Sequence, residues 1–160
     1  MKKHGNGRAA FTLIEILLVL GIIAGIAALV LPNLLTAREQ AAVDETRIRV
    51  EKVMGALERY VTKLPYPTDE QGLKALVEKP TFEKPEQEKN WFGPYLSASD
   101  LKDAWDQDLS YKLADVQDAS GKTRQVPHVY SFGPNKTDDS GDGDDIKNKA
   151  WSDESAGTNK

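Results

Sequence analysis

Apolar and polar positions are unevenly distributed along this chain. Residues 11–31, FTLIEILLVLGIIAGIAALVL, are interrupted only by Thr12, Glu15 and two glycines. A helix of this length is about 31 Å long, enough to span a hydrocarbon core of about 30 Å. From Asn33 to about Leu64 the pattern becomes a stripe. Val50, Val53, Met54, Leu57, Tyr60, Val61 and Leu64 recur three and four apart, with charged residues between them. This spacing predicts a continuing helix whose stripe packs on a soluble core. Ahead of the stripe, Ala37, Ala41 and Ala42 would let another helix approach closely. Glu45 and Arg49 form a favourable i,i+4 pair. Pro65 and Pro67 end the helix. Pro32 is expected to weaken it where the apolar and striped parts join.

Beyond the prolines the segments are shorter. Thr68 and Gln71 read as a capping box before a short helix with Leu73, Leu76 and Val77 on its apolar face. Residues 83–90, EKPEQEKN, read as a charged surface loop, and Gly93-Pro94 as a turn. Leu109–Leu113 and Val126–Phe132 read as strands, with 118–122 linking them like a hairpin. Trp91, Tyr95 and Trp105 are expected to be core aromatics. The predicted class is α+β: a long N-terminal helix, membrane-spanning in its first half, packed on a small antiparallel sheet.

Charge and composition narrow the function. Among 160 residues there are 21 basic and 25 acidic side chains and no cysteine. Disulfides and thiol chemistry are excluded. The basic residues are scattered, so there is no nucleic-acid patch. His4 and His128 are the only histidines. No nucleophile motif, phosphate loop or paired-acid arrangement accompanies them, which argues against an enzyme; His128 reads as a surface or packing residue. Lys2, Lys3 and Arg8 precede the apolar run, placing the N-terminus in the cytoplasm and the remainder outside. The run is too long for an ordinary secretory signal, and no small-x-small cut site comes after it. A plain anchor explains everything except Glu15. A carboxylate at a span's centre costs about 2.5–3.5 kcal/mol, less near an end, so it calls for a partner.

The stretch AAFTLIEILLVLGI resembles the leader and mature start of type IV pilin-like proteins. Downstream, YPTDEQGLKALVEKP, NWFGPYL, KDAWDQDLSY and VYSFGPN…DDI…AW occur in order. With them the resemblance narrows to the major, G-type pseudopilins of bacterial type II secretion, over roughly Phe11 to Trp151. It implies that a prepilin peptidase cuts between Ala10 and Phe11 and methylates the new amino terminus. The family usually has glycine where Ala10 stands. Residues 1–10 would then be the leader, 11–31 the transmembrane helix and filament core, 32–64 the periplasmic part of the helix, and 65–160 the globular domain with a flexible tail. Glu15 would pair with the amino terminus of a neighbouring subunit, a group largely cationic at neutral pH. Its charge would be neutralised on assembly, fixing the filament's register.

Residues 134–145, PNKTDDSGDGDD, read either as a solvated acidic loop or as a calcium site. Asp138-x-Ser140-x-Asp142-Gly143 resembles the opening of an EF-hand loop, but Lys149 occupies the twelfth position, so a true EF-hand is not expected. The pseudopilin resemblance implies calcium as cofactor, held by the Phe132 carbonyl, Asn135, Asp142, Asp144 and Asp145. Asn135 stands where the family usually has aspartate, and Asp138 or Asp139 could substitute.

The function implied is a structural subunit of a short periplasmic pseudopilus that drives folded proteins through an outer-membrane secretin. The resemblance implies as partners copies of itself, minor pseudopilins, the prepilin peptidase, an inner-membrane assembly platform, the secretin and secreted proteins, and no nucleic acid. The expected location is the bacterial inner membrane, as a single-pass protein with its C-terminal domain in the periplasm. The alternatives are a type IV or competence pilin forming a surface fibre, or a monomeric anchored calcium-binding domain.

Overall fold

The fold comes from a computed structural model, which describes residues 11–117 and 121–152. The chain divides into two compact units, Met1–Glu39 and Gln40–Lys160.

Helix α1 runs from Leu13 to Val61 without a break at Pro32. Thr12 precedes it. The Glu15 amide donates to both the Thr12 hydroxyl and carbonyl, at 3.3 and 3.1 Å, satisfying a donor that a helix start otherwise leaves unpaired. Among the described residues of the first unit the large apolar side chains are exposed; Leu13, Ile14 and Leu18 are examples. The helix is long and apolar enough there to cross a membrane.

In the second unit the expected stripe is buried. Val50, Val53, Leu57, Tyr60 and Leu64 pack with Leu73, Leu76, Leu96, Leu109 and Val129, and Met54 and Val61 flank them. The helix stops at Val61, short of Leu64, and the Leu64 amide still donates to the Tyr60 carbonyl at 3.3 Å. The expected Glu45–Arg49 pair forms at 2.5 Å. Arg49 also donates to the carbonyls of Lys102 and Asp103, at 2.9 and 3.2 Å. The expected capping box is present as reciprocal bonds between Thr68 and Gln71, at 3.2 and 3.3 Å. The box leads into a 3₁₀ helix, Gly72–Leu76, whose Leu73, Ala75 and Leu76 are buried. The stretch expected to be only a charged loop contains a short helix, α2, Pro85–Lys89, with proline in its first turn. Trp91 and Tyr95 pack on the core; Trp105 is half-buried but outside that cluster.

The C-terminal part of the chain contributes three strands: β1 (Ser110–Gln117), β2 (Thr123–Ser131) and β3 (Ile146–Lys147). They form an antiparallel sheet in the order β1-β2-β3. β1 pairs with β2 from Ser110↔Tyr130 to Gln117↔Thr123. Both strands extend past the predicted bounds toward the hairpin end, where the backbone ladder continues from Ala114↔Val126 to Gln117↔Thr123. The link residues 118–120 lie outside the described residues. β3 has only two residues, too few for an alternation to show. The α+β class is the one expected, with an additional strand.

Candidate functional site

Two places carry the predicted functional residues, one in each unit. At the start of α1, Phe11 is 77% exposed and Glu15 is exposed in the first helical turn. The Glu15 carboxylate thus sits on the surface of an apolar helix, where a lipid environment would desolvate it. Ala10 lies outside the described residues. Thr12 is the residue that sequence reasoning missed: Thr12-x-x-Glu15 has the spacing of a helix N-terminus signature.

The second place is the acidic loop between β2 and β3. Gly133 leaves β2 at φ +66°, and a Cβ there would stand 2.3 Å from the Asp144 carbonyl oxygen, so the position requires glycine. The two ends of the loop therefore touch. The Asn135 amide donates to Asp144 Oδ2 at 3.1 Å, and its side-chain nitrogen lies against Asp144 Oδ1 and, at 3.3 Å, Asp139 Oδ2. Asn135 Oδ1 accepts from the Thr137 amide at 2.5 Å. Asp145 Oδ2 accepts from the amides of Asp139 and Gly141, at 3.2 and 2.8 Å. Asp145 Oδ1 is buried with no hydrogen-bond partner. Burial pushes the Asp145 carboxyl above the usual aspartate range against the pull of those two amides, and the charges of Asp139 and Asp138 add to the rise.

Of the five expected ligand residues, the structure brings together Asn135 and Asp144, with Asp139 as the third member. Asp145 braces the same loop through its backbone contacts. Asp142 points away: its side chain is 90% exposed, with Lys147 Nζ at 4.0 Å. Phe132 is half-buried, its ring edge-on to Tyr130 at 5.8 Å. Among the described residues, no group of three carboxylate or histidine side chains is already arranged to hold a metal ion.

The loop is tied down from both sides. Tyr130 donates to Asp138 at 3.1 Å. The Trp151 ring fills the space over Gly141, where a Cβ would come within 2.2 Å of it. Trp151 also stacks on His128, at 4.1 Å and 9° between planes, so this histidine is a packing residue. Buried Asn148, which sequence reasoning did not single out, extends the ladder beside β2. Its side-chain oxygen accepts from the Val129 amide at 3.0 Å, and its own amide donates to the Val129 carbonyl at 2.9 Å.

A family model described as type II secretion system (T2SS), protein G, matches residues 33–149, which include the helix stripe, the sheet and the acidic loop. This chain belongs to that family. Among its relatives is the type II secretion system core protein G of Klebsiella pneumoniae, 36% identical over 133 residues, covering 82% of this chain and 89% of that protein. The protein of the same name from Pseudomonas aeruginosa is 40% identical over 85 residues, which is 52% of this chain. The chain spans 58% of that relative's length. The crystal structure of the major pseudopilin from the type 2 secretion system of enterohaemorrhagic Escherichia coli aligns with a TM-score of 0.48 and 25% identity, covering 75% of this chain and 92% of that one.

Proposed function

We propose that this chain is the repeating structural subunit of the type II secretion pseudopilus, held in the bacterial inner membrane by the first half of α1 before assembly. The family match over residues 33–149 carries this reading and favours it over a surface pilin. The exposed apolar helix supports it physically, because a surface with no partner in the monomer suits both a bilayer and a helical filament core. Processing between Ala10 and Phe11 would create an amine near the surface-exposed Glu15. A neighbouring copy's amine would then offset the cost of the buried carboxylate. Minor pseudopilins, the prepilin peptidase, the assembly platform and the secretin are partners on the same reading. The working role is mechanical rather than catalytic.

Glu15→Ala tests it. The variant should insert into the membrane as the wild type does, yet form no filament and secrete nothing. Normal filaments and secretion from Glu15→Ala would overturn the reading.

A calcium ion in the acidic loop belongs to the same proposal. The donors are all hard oxygens, as calcium prefers. The buried, unpartnered Asp145 Oδ1 beside like charges is the observation that fits a cation, because an uncompensated buried carboxylate oxygen is costly. Asp139, Asp144, Asp145 and Asn135 would hold the ion, with the Phe132 carbonyl as a further donor. Asn135 would turn its amide oxygen inward. The ion would supply charge compensation that ties the loop to the sheet.

A further inference from the structure

Asp142-Gly143 is the chain's single Asp-Gly dipeptide, and both residues are exposed in the acidic loop. Three features of this peptide favour one chemical reaction. The Asp142 carboxylate is 90% exposed, with Lys147 Nζ at 4.0 Å. The Gly143 amide takes part in none of the loop's hydrogen bonds, while the amides of Asp142 before it and Asp145 two residues after it do, at 3.2 and 3.0 Å. Gly143 adopts φ +61° and has no Cβ to shield its nitrogen.

We infer that Asp142-Gly143 is a self-modifying peptide that converts to isoaspartate in the folded protein. Once the exposed carboxylate has taken a proton from solvent, the Gly143 nitrogen attacks Asp142 Cγ, the carboxyl hydroxyl leaves with the N–H proton as water, and a five-membered succinimide closes. Water then opens the ring. Attack at the original main-chain carbonyl breaks its bond to the Gly143 nitrogen, leaving the chain running through Cβ and Cγ. No oxidant or cofactor is needed, and the water lost is regained. The product carries one extra methylene in its backbone, and the former Asp142 carbonyl becomes a free carboxylate. The bond from the Asp145 amide to that carbonyl is lost, and with it the turn that aims the Asp145 carboxylate at Asp139 and Gly141. The loop would thus carry its own ageing clock.

The test incubates the purified full chain in detergent with a chelator at physiological temperature and neutral pH. An isoaspartyl methyltransferase counts isoaspartate, and fragmentation mass spectrometry of the tryptic peptide 137–147 places it. The free peptide of the same sequence is the reference. The folded chain should accumulate isoaspartate at position 142 at a rate within a few-fold of the peptide. Asp142→Glu should abolish it, and Asp142→Asn should react faster, with loss of the amide nitrogen. A folded-chain rate an order of magnitude or more below that of the peptide, or modification at the other aspartates instead, would overturn the inference.

Discussion

Replacing Asp103 with alanine should be among the most damaging single changes in the second unit. Asp103 is 2% exposed. Its Oδ1 accepts from the amides of Trp105 and Gln107, both at 2.9 Å, and its Oδ2 accepts from the Ser131 hydroxyl at 2.6 Å. Ser131 in turn accepts from the Gly133 amide at 3.0 Å, at the mouth of the acidic loop. Asp103→Ala removes the acceptor for three donors at once. Each bond to a charged acceptor is worth about 1.5–3 kcal/mol, and part of this returns where the 105–107 turn relaxes toward water. The expected loss is about 3–5 kcal/mol. Asp103→Asn keeps one acceptor oxygen and the shape, and should cost about 1–2 kcal/mol. Urea unfolding of the full chain in detergent, followed by tryptophan fluorescence, measures both, provided the slope with denaturant is unchanged. A loss below about 1 kcal/mol for Asp103→Ala would refute the argument, since it would mean that the buried acceptor is replaceable. Equal losses for the two variants would refute the role assigned to acceptor geometry.

Chelating calcium from the full chain should lower its melting temperature and speed proteolysis in residues 134–145; an unchanged melting curve would count against the ion. Gly141→Ala should displace Trp151 and cost about 1–3 kcal/mol, as a side chain at φ +88° is strained even before the clash. In a double-mutant cycle with Trp151→Ala that loss should be partly recovered, whereas strict additivity would sever the link between loop and ring. The Lys52 ammonium, at 2.7 Å, and the Ser97 hydroxyl hold the Asp100 carboxyl down to about 2. Its stabilisation is therefore present above the ordinary aspartate range and is lost as pH falls from about 4 to about 2. Lys52→Met should flatten that acid limb by less than about 1 kcal/mol, the pair being partly exposed, and an unaltered pH profile would remove the assignment.

Periodicity and composition act locally, and they determined the elements that local physics controls. The apolar run, the stripe from Val50 to Leu64, the stop near Pro65, the Thr68–Gln71 box and the two long strands were all legible on that basis. Helix α2 was obscured by its charge, because a short exposed helix needs no apolar face. β3 and Asn148 were obscured because each works through a partner strand distant in sequence. The aspartate-rich stretch was conspicuous as a cluster, but its internal roles were not. Which acid braces an amide, and which faces water, depends on loop closure at Gly133 and on the ring of Trp151.

A membrane-length helix with one misplaced carboxylate, an α+β body and an acidic loop could all be read along the chain, since apolar spacing and backbone chemistry are properties of neighbours in sequence. Folding brings Asp139 to Asn135 and Asp144, sets Asp142 apart beside Lys147, and leaves Asp145 with an unpartnered buried oxygen. Those outcomes are set by distances between residues brought together by closing the loop across β2 and β3, and no spacing in the sequence encodes such distances.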